Sequence, residues 1–317
     1  MKSLKCQPPP PLKPGDLLRV IVPSGALREF EAFQQGIAVW RSRGYKVELP
    51  SNWDAKDGYL AGSDSERRRQ LAEAWNDPEC KGILSARGGY GSTRLLEDWT
   101  WELQEQTALP YHSELRTQNS GLPKWLIGFS DITNLLWSLS HIGISGVHAP
   151  VLTTIAAEPE WSIERLFNWV EKHTLDPLQG NGWGGGKARG ILLPGNLTVA
   201  THLLGTAIMP PLEGVILALE DVTEAPYRID RQLTQWRMSG AFKGVKGIAL
   251  GRFSRCEAPS GIPSWKIEEV LRDRLSGLGI PVVSNLPFGH DGVNAALPVG
   301  VFAELDGDRG CLSFEPK

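Results

Sequence analysis

The sequence predicts an α/β protein, with a mainly parallel, helix-covered sheet in its N-terminal half and a mixed α/β domain in its C-terminal half. Three observations predict it. Short apolar runs alternate with amphipathic segments through the first half, the rhythm of β-α-β units. A glycine-rich stretch at 174–190 interrupts that rhythm before strands and helices resume. The chain has 317 residues, more than one typical domain needs. The division expected is a disordered tail at 1–14, an N-terminal domain at 15–173, a linker at 174–190 and a C-terminal domain at 191–317.

Leu17 to Val22 reads as a strand that ends in Pro23-Ser24-Gly25. Phe30 to Arg43 has helical spacing, and Tyr45 to Leu49 is a second strand. Asp64 to Trp75 is a helix capped by Ser63, with Glu66 completing a capping box. Arg67-Arg68-Arg69 reads as its solvated face. Lys81 to Ala86 is a strand and Gly91 to Trp99 a helix. Residues 104–123 are polar and read as a surface excursion. Trp125 to Gly128 is a strand and Ser130 to Ser140 a helix. In the second half, strands are expected at Val215–Leu219, Lys246–Leu250, Pro281–Ser284, Val299–Glu304 and Cys311–Phe314. Helices are expected near Arg228–Ser239 and Ser264–Ser276.

Composition excludes several classes. A net charge of −3 offers no basic surface for nucleic acid. The apolar runs fall far short of the roughly 20 residues that span a bilayer. The N-terminus has positive charge but no apolar core, so it does not read as a signal peptide. Cys6, Cys80, Cys256 and Cys311 lie far apart, which argues against a zinc site or disulfide framework and for a cytoplasmic setting.

Chemistry concentrates in four segments. In Trp125-Leu126-Ile127-Gly128-Phe129-Ser130-Asp131, a strand meets a serine at a strand-to-helix turn, where its hydroxyl projects from the sheet edge. Taken alone the segment favours a simple helix cap. The Gly-x-Ser-x-Gly elbow is also incomplete, because Ile132 holds the second glycine's place. Ser85-Ala86-Arg87-Gly88-Gly89-Tyr90-Gly91 is a glycine loop whose amides suit an anion, and a tight turn accounts for it as well. Leu219-Glu220-Asp221-Val222-Thr223-Glu224 puts acids at the end of an apolar strand. Phe288-Gly289-His290-Asp291-Gly292 places a histidine in a glycine-flanked loop. A serine hydroxyl needs a base, and an imidazole needs a carboxylate to fix its tautomer. Ser130, Glu220 and His290 follow the Ser–acid–His order of α/β-hydrolases. His148, just beyond the Ser130 helix, is the rival base.

In combination, Arg87-Gly88-Gly89-Tyr90-Gly91, Gly128-Phe129-Ser130-Asp131, Gly195-Asn196-Leu197, Leu219-Glu220-Asp221 through Tyr227-Arg228-Ile229-Asp230-Arg231, and Phe288-Gly289-His290 resemble the LD-carboxypeptidase family of serine peptidases. The likeness runs from about Asp16 to the C-terminus. It implies an active site between the two domains, with Ser130 as nucleophile, His290 as base and Glu220, rather than Glu224, as acid. It implies oxyanion donors at the backbone amides of Gly89 and Asp131. The implied activity is removal of the terminal D-alanine from an L,D-linked murein tetrapeptide in peptidoglycan recycling, with no metal or cofactor. A small peptide is the implied partner, and a homodimer is possible. A sister branch, the microcin-immunity peptidases, cleaves aminoacyl-nucleotide conjugates. A non-catalytic nucleotide-binding module built on the Gly88–Gly91 loop is the third reading. An exopeptidase must also hold a terminal carboxylate, for which Arg87 and Arg228 stand at motif positions, though either suits a structural ion pair.

Overall fold

The first strand, β1 (Leu17–Ile21), forms where apolar and half-buried positions alternate, and its neighbours follow in βαβ order. The computed structural model describes residues 4–101 and 123–314. The elements that follow are α1 (Phe30–Ser42), β2 (Lys46–Glu48), α2 (Asp64–Asn76), β3 (Cys80–Ser85) and α3 (Ser92–Leu95). Beyond the undescribed stretch come β4 (Trp125–Gly128), α4 (Thr133–Ser140), β5 (Val147–His148), α5 (Leu152–Ile155) and α6 (Glu160–Lys172). The second half runs β6 (Leu178–Gln179), β7 (Asn181–Gly182), β8 (Lys187–Asn196), α7 (Leu197–Leu203), β9 (Val215–Val222) and α8 (Pro226–Met238). It ends with β10 (Gly247–Ser254), α9 (Ile267–Leu275), β11 (Val282–Ser284), β12 (Leu297–Pro298), β13 (Phe302–Asp306) and β14 (Cys311–Phe314).

These elements build an α/β structure with two sheets. The first has the order β12-β5-β4-β3-β1-β2, and all its neighbours are parallel except β12. The second has the order β6-β14-β13-β8-β9-β10-β11-β7, with β8 to β11 parallel and antiparallel strands at both flanks. The parallel strands are buried along most of their length and read as continuous apolar runs, as sheets covered on both faces do.

Helix α2 begins as its sequence predicts. The Ser63 side chain accepts from the Glu66 amide, and the Glu66 carboxylate accepts from the Ser63 amide. Its arginine run is not uniformly solvated, however. Arg67 is fully buried and donates to the carbonyls of Pro23 and Gly91 and to Asp64. Those carbonyls belong to loops that have no strand partner for them, and an arginine fork reaches both.

Two boundaries differ from expectation. Residues 4–14 pack onto the fold rather than trailing as a disordered tail. The Cys6 amide donates to Gly300 O, Gln7 bridges to Ile144, and the Leu12 amide donates to Val170 O. Leu4, Cys6 and Leu12 are buried, which explains why this proline-rich segment is held. The glycine-rich stretch at 174–190 does lead from one sheet to the other, but it also supplies β6, β7 and the start of β8. The expected excursion at 104–123 lies outside the described residues except for its last position, as does His112.

The second sheet reaches back to the first through β12, which pairs antiparallel with β5 (Leu297↔His148). The loop between β11 and β12, residues 285–296, is therefore strung from one sheet to the other. Helix α4 makes a second tie. Trp137 donates its indole N–H to Pro194 O at 2.8 Å, and Thr133 Oγ1 accepts from the Asn196 amide at 3.0 Å. A Cβ on Gly195 would stand 2.6 Å from Thr133, so only glycine lets α4 lie on β8.

Candidate active site

Ser130 follows β4 and stands at φ 62°, in the left-handed region that serine rarely adopts. It is not a cap residue: Phe129 holds the cap position of the short 3-10 turn that Ser130 opens, and Ile132 that of α4. The simple cap reading therefore gives way to a strained turn that pushes the hydroxyl out of the sheet edge. Gly88 lies directly against it, since a Cβ there would stand 3.0 Å from Ser130 Oγ. The Gly88 carbonyl turns away and accepts from the Gly25 amide at 3.3 Å.

The Asp131 carboxylate is buried and is not free for chemistry. It accepts from Ser24 Oγ at 2.6 Å and from the Ser92 amide at 2.8 Å, which clamps the loops after β1 and β3 to the start of α4. Burial holds its pKa above the usual carboxylate range, against the lowering effect of those two bonds.

His290 and Glu220 meet. His290 Nδ1 lies 2.7 Å from Glu220 Oε2. Glu220 is fully buried at the C-terminal end of β9, and its other oxygen accepts from Asn196 Nδ2 at 3.2 Å. Burial alone would lower the His290 pKa, but the charge and hydrogen bond of Glu220 outweigh it and raise the value above its ordinary range. The imidazole also packs on Phe129, the neighbour of Ser130, with ring centroids 4.7 Å apart. The His290 loop is fixed at several points. Ser254 Oγ donates to His290 O, the Gly289 amide to Asn294 Oδ1 at 3.0 Å, and the Asn294 amide to Glu158 Oε2 at 2.9 Å.

Neighbouring acids are otherwise engaged. Asp221 accepts from the Thr198 amide and hydroxyl and from the Val222 amide. Burial and the adjacent Glu220 charge push its pKa up to about 6. Glu224 pairs with Arg228 at 3.5 Å. The rival base His148 is fully buried between Phe129 and Phe288, and neither ring nitrogen has a partner among the described residues. Burial pushes its pKa down to about 4. Of the two arginines at motif positions, Arg87 pairs with Glu29 at 3.3 Å, and Arg228 with Glu224.

Sequence reasoning assigned no individual role to Asn196, and it placed Gly88 only within the anion-binding glycine loop. Asn196 lay within a quoted motif, and its signal was an asparagine capping a helix straight after a strand. The glycine loop drew attention to Gly88, but nothing local marked its contact with Ser130, which comes from across the fold.

Family models for the N-terminal and C-terminal domains of LD-carboxypeptidases match residues 18–149 and 189–305. The chain belongs to the LD-carboxypeptidase family. Within it, a Synechocystis sp. relative provisionally named a carboxypeptidase is 58% identical over 306 residues, covering 96% of each chain. The murein tetrapeptide carboxypeptidase of Pseudomonas aeruginosa is 31% identical over 281 residues, covering 84% of this chain and 85% of that one. Among solved structures, the muramoyltetrapeptide carboxypeptidase of Oxalobacter formigenes superposes with a TM-score of 0.79 at 30% identity, covering 93% and 97% of the two chains. The microcin self-immunity protein MccF, in complex with aspartyl sulfamoyl adenosine, superposes with a TM-score of 0.83 at 22% identity, covering 98% of each chain. That last likeness concerns the fold alone. Family membership makes this chain a carboxypeptidase-type hydrolase.

Proposed function

We propose that this hydrolase is a serine-type LD-carboxypeptidase that releases the terminal D-alanine of an L,D-linked murein tetrapeptide. The observation that carries the reading is the 2.7 Å His290–Glu220 bond, formed beside a serine held at φ 62°. Glu220 fixes the imidazole tautomer with Nδ1 protonated, leaving Nε2 to take the Ser130 proton. Ser130 then attacks the scissile carbonyl, and His290 returns the proton to the departing amine. Water, activated by the same imidazole, hydrolyses the acyl-enzyme.

The oxyanion faces the backbone amides of Gly89 and Asp131. The Gly88 carbonyl points at Gly25, and a trans peptide places the next N–H on the opposite side, so Gly89 N–H turns away from Gly25. Gly88 itself lies on Ser130.

The deciding assay is D-alanine release from L-Ala-D-Glu-diaminopimelate-D-Ala. Ser130→Ala should lower kcat by roughly 10⁴-fold or more with the fold intact. Wild-type turnover by that variant would end the reading. An exposed aromatic pair beside the glycine loop, Tyr59 and Tyr90 with centroids 5.9 Å apart, gives the aminoacyl-nucleotide reading its one specific support, since such rings stack on purines. Parallel turnover of the tetrapeptide and an aminoacyl-sulfamoyl adenosine separates the two. The family likeness extends the proposal to a cytoplasmic location and a homodimer, the latter checked by sedimentation.

A further inference from the structure

An exopeptidase must hold its substrate's terminal carboxylate, with a cation or with backbone amides, and this cleft is otherwise acidic. Glu220, Asp221 and Asp291 all act on His290 with negative charge. A substrate carboxylate brought among them is repelled unless a positive group answers it. Three arginines near the site already have acidic partners: Arg87 with Glu29, Arg228 with Glu224, and Arg255 with Asp291 at 2.6 Å. Arg252 differs. Among the described residues its side chain has no ion pair and no hydrogen-bond acceptor, although its Nε is buried.

The position of Arg252 is built. Strand β10 pairs Leu250 with Leu219 and then Phe253 with Asp221, with a register shift between them. Gly251 and Arg252 therefore stand together opposite the single residue Glu220, a bulge that re-aims a side chain. A Cβ on Gly251 would meet the Phe288 ring at 2.6 Å, so glycine is what lets the His290 loop close over this bulge. The Arg252 amide donates to Phe288 O at 2.9 Å, and its carbonyl lies 3.3 Å from where a Cβ on Gly289 would stand. Its Nε and Cζ lie 3.5 and 3.6 Å from where a Cβ on Gly292 would stand, two residues past His290. The guanidinium thus lies along the loop that carries the imidazole. A buried guanidinium donor left without an acceptor is unfavourable, and a carboxylate is the acceptor whose geometry matches the fork.

We propose that Arg252 binds the terminal carboxylate of the substrate and so restricts the enzyme to the last peptide bond. The inference rests on the carboxypeptidase reading above and names the group that reads the chain end.

The test compares the D-alanine-ending tetrapeptide with the same peptide ending in D-alanine carboxamide, for the wild type, Arg252→Gln and Arg252→Lys. Labelling of Ser130 by a neutral fluorophosphonate serves as the check on the catalytic machinery. Arg252→Gln should lower kcat/KM for the carboxylate substrate by roughly 100-fold, mainly through KM, while hardly changing the carboxamide. Its labelling rate should stay near wild type. Arg252→Lys, which keeps the charge but loses the fork, should fall between and reports even if the glutamine variant is poorly folded. A wild-type preference for the carboxylate in both variants would overturn the assignment. Equal losses on both substrates with lost labelling would make Arg252 structural and overturn it too. If the wild type labels at Ser130 but releases no D-alanine, the carboxypeptidase reading fails and this assignment falls with it.

Discussion

At the scale of single residues, the site turns on two histidines, His290 part-buried and His148 fully buried, in opposite electrostatic states. His290 has Glu220 against Nδ1 and is raised above its ordinary pKa, whereas His148 has no ring hydrogen bond among the described residues and burial pushes it down to about 4. Proton abstraction requires neutral His290, so the acidic limb of kcat/KM should lie above the ordinary imidazole value of about 6.5. Glu220→Gln removes the charge that raises it. The limb should then move to lower pH while kcat falls by roughly 10³–10⁴-fold. A pH–rate profile whose limb stays in place would refute the pairing as the cause. His148 acts on stability instead. Its folded pKa lies below the 6.5 of a free imidazole, so its contribution is present above about pH 6.5 and is lost as pH falls towards 4. His148→Leu should therefore flatten the loss of urea stability between pH 7 and pH 4, by about 3 kcal/mol over that window. Parallel curves for the variant and the wild type would show that His148 is not what titrates.

At the scale of elements, glycines decide how closely loops and helices approach. Gly88 has no positive φ, so alanine suits its backbone, yet an added methyl would stand 3.0 Å from Ser130 Oγ. Gly88→Ala should fold with its melting temperature nearly unchanged and lose on the order of 10²-fold in kcat, because Ser130, the proposed nucleophile, is displaced. Wild-type kcat would show that this contact is slack. Gly195→Ala acts differently, by driving a methyl into Thr133 and Trp137 where α4 lies on β8. It should cost about 1–3 kcal/mol in thermal unfolding and activity as well, since α4 follows directly on the turn that holds Ser130. Loss of activity without any loss of stability would count against this docking argument.

At the scale of the whole molecule, one apolar cluster runs through both halves. Ile83, Leu126 and Trp137 from the first sheet and its helices join Leu193, Leu217 and Trp236 from the second. With β12 and α4 also crossing, the chain should unfold as one unit despite its length. Tryptophan fluorescence and far-ultraviolet circular dichroism should give coincident urea transitions, and two separated transitions would contradict a shared core.

Most of the architecture was legible in the chain itself. β4 and β14 fall on their predicted residues, and the capping box of α2 forms as read, because these features depend on neighbours only a few residues away. The apolar strand ends also marked Ser130 and Glu220 as candidates, and a glycine-flanked loop marked His290. Short-range pattern was silent where the partner is distant in sequence. Arg67 looked like part of a solvated run until the Pro23 and Gly91 carbonyls claimed it. The proline-rich start looked free until Gly300 and Val170 bound it. Periodicity and residue type thus marked which segments fold and which side chains are candidates for chemistry. Only the tertiary structure brought His290 onto Glu220, buried His148 out of reach of water, and left Arg252 without an acceptor among the described residues. Those outcomes depend on contacts between residues tens to hundreds of positions apart, and local sequence does not encode such distances.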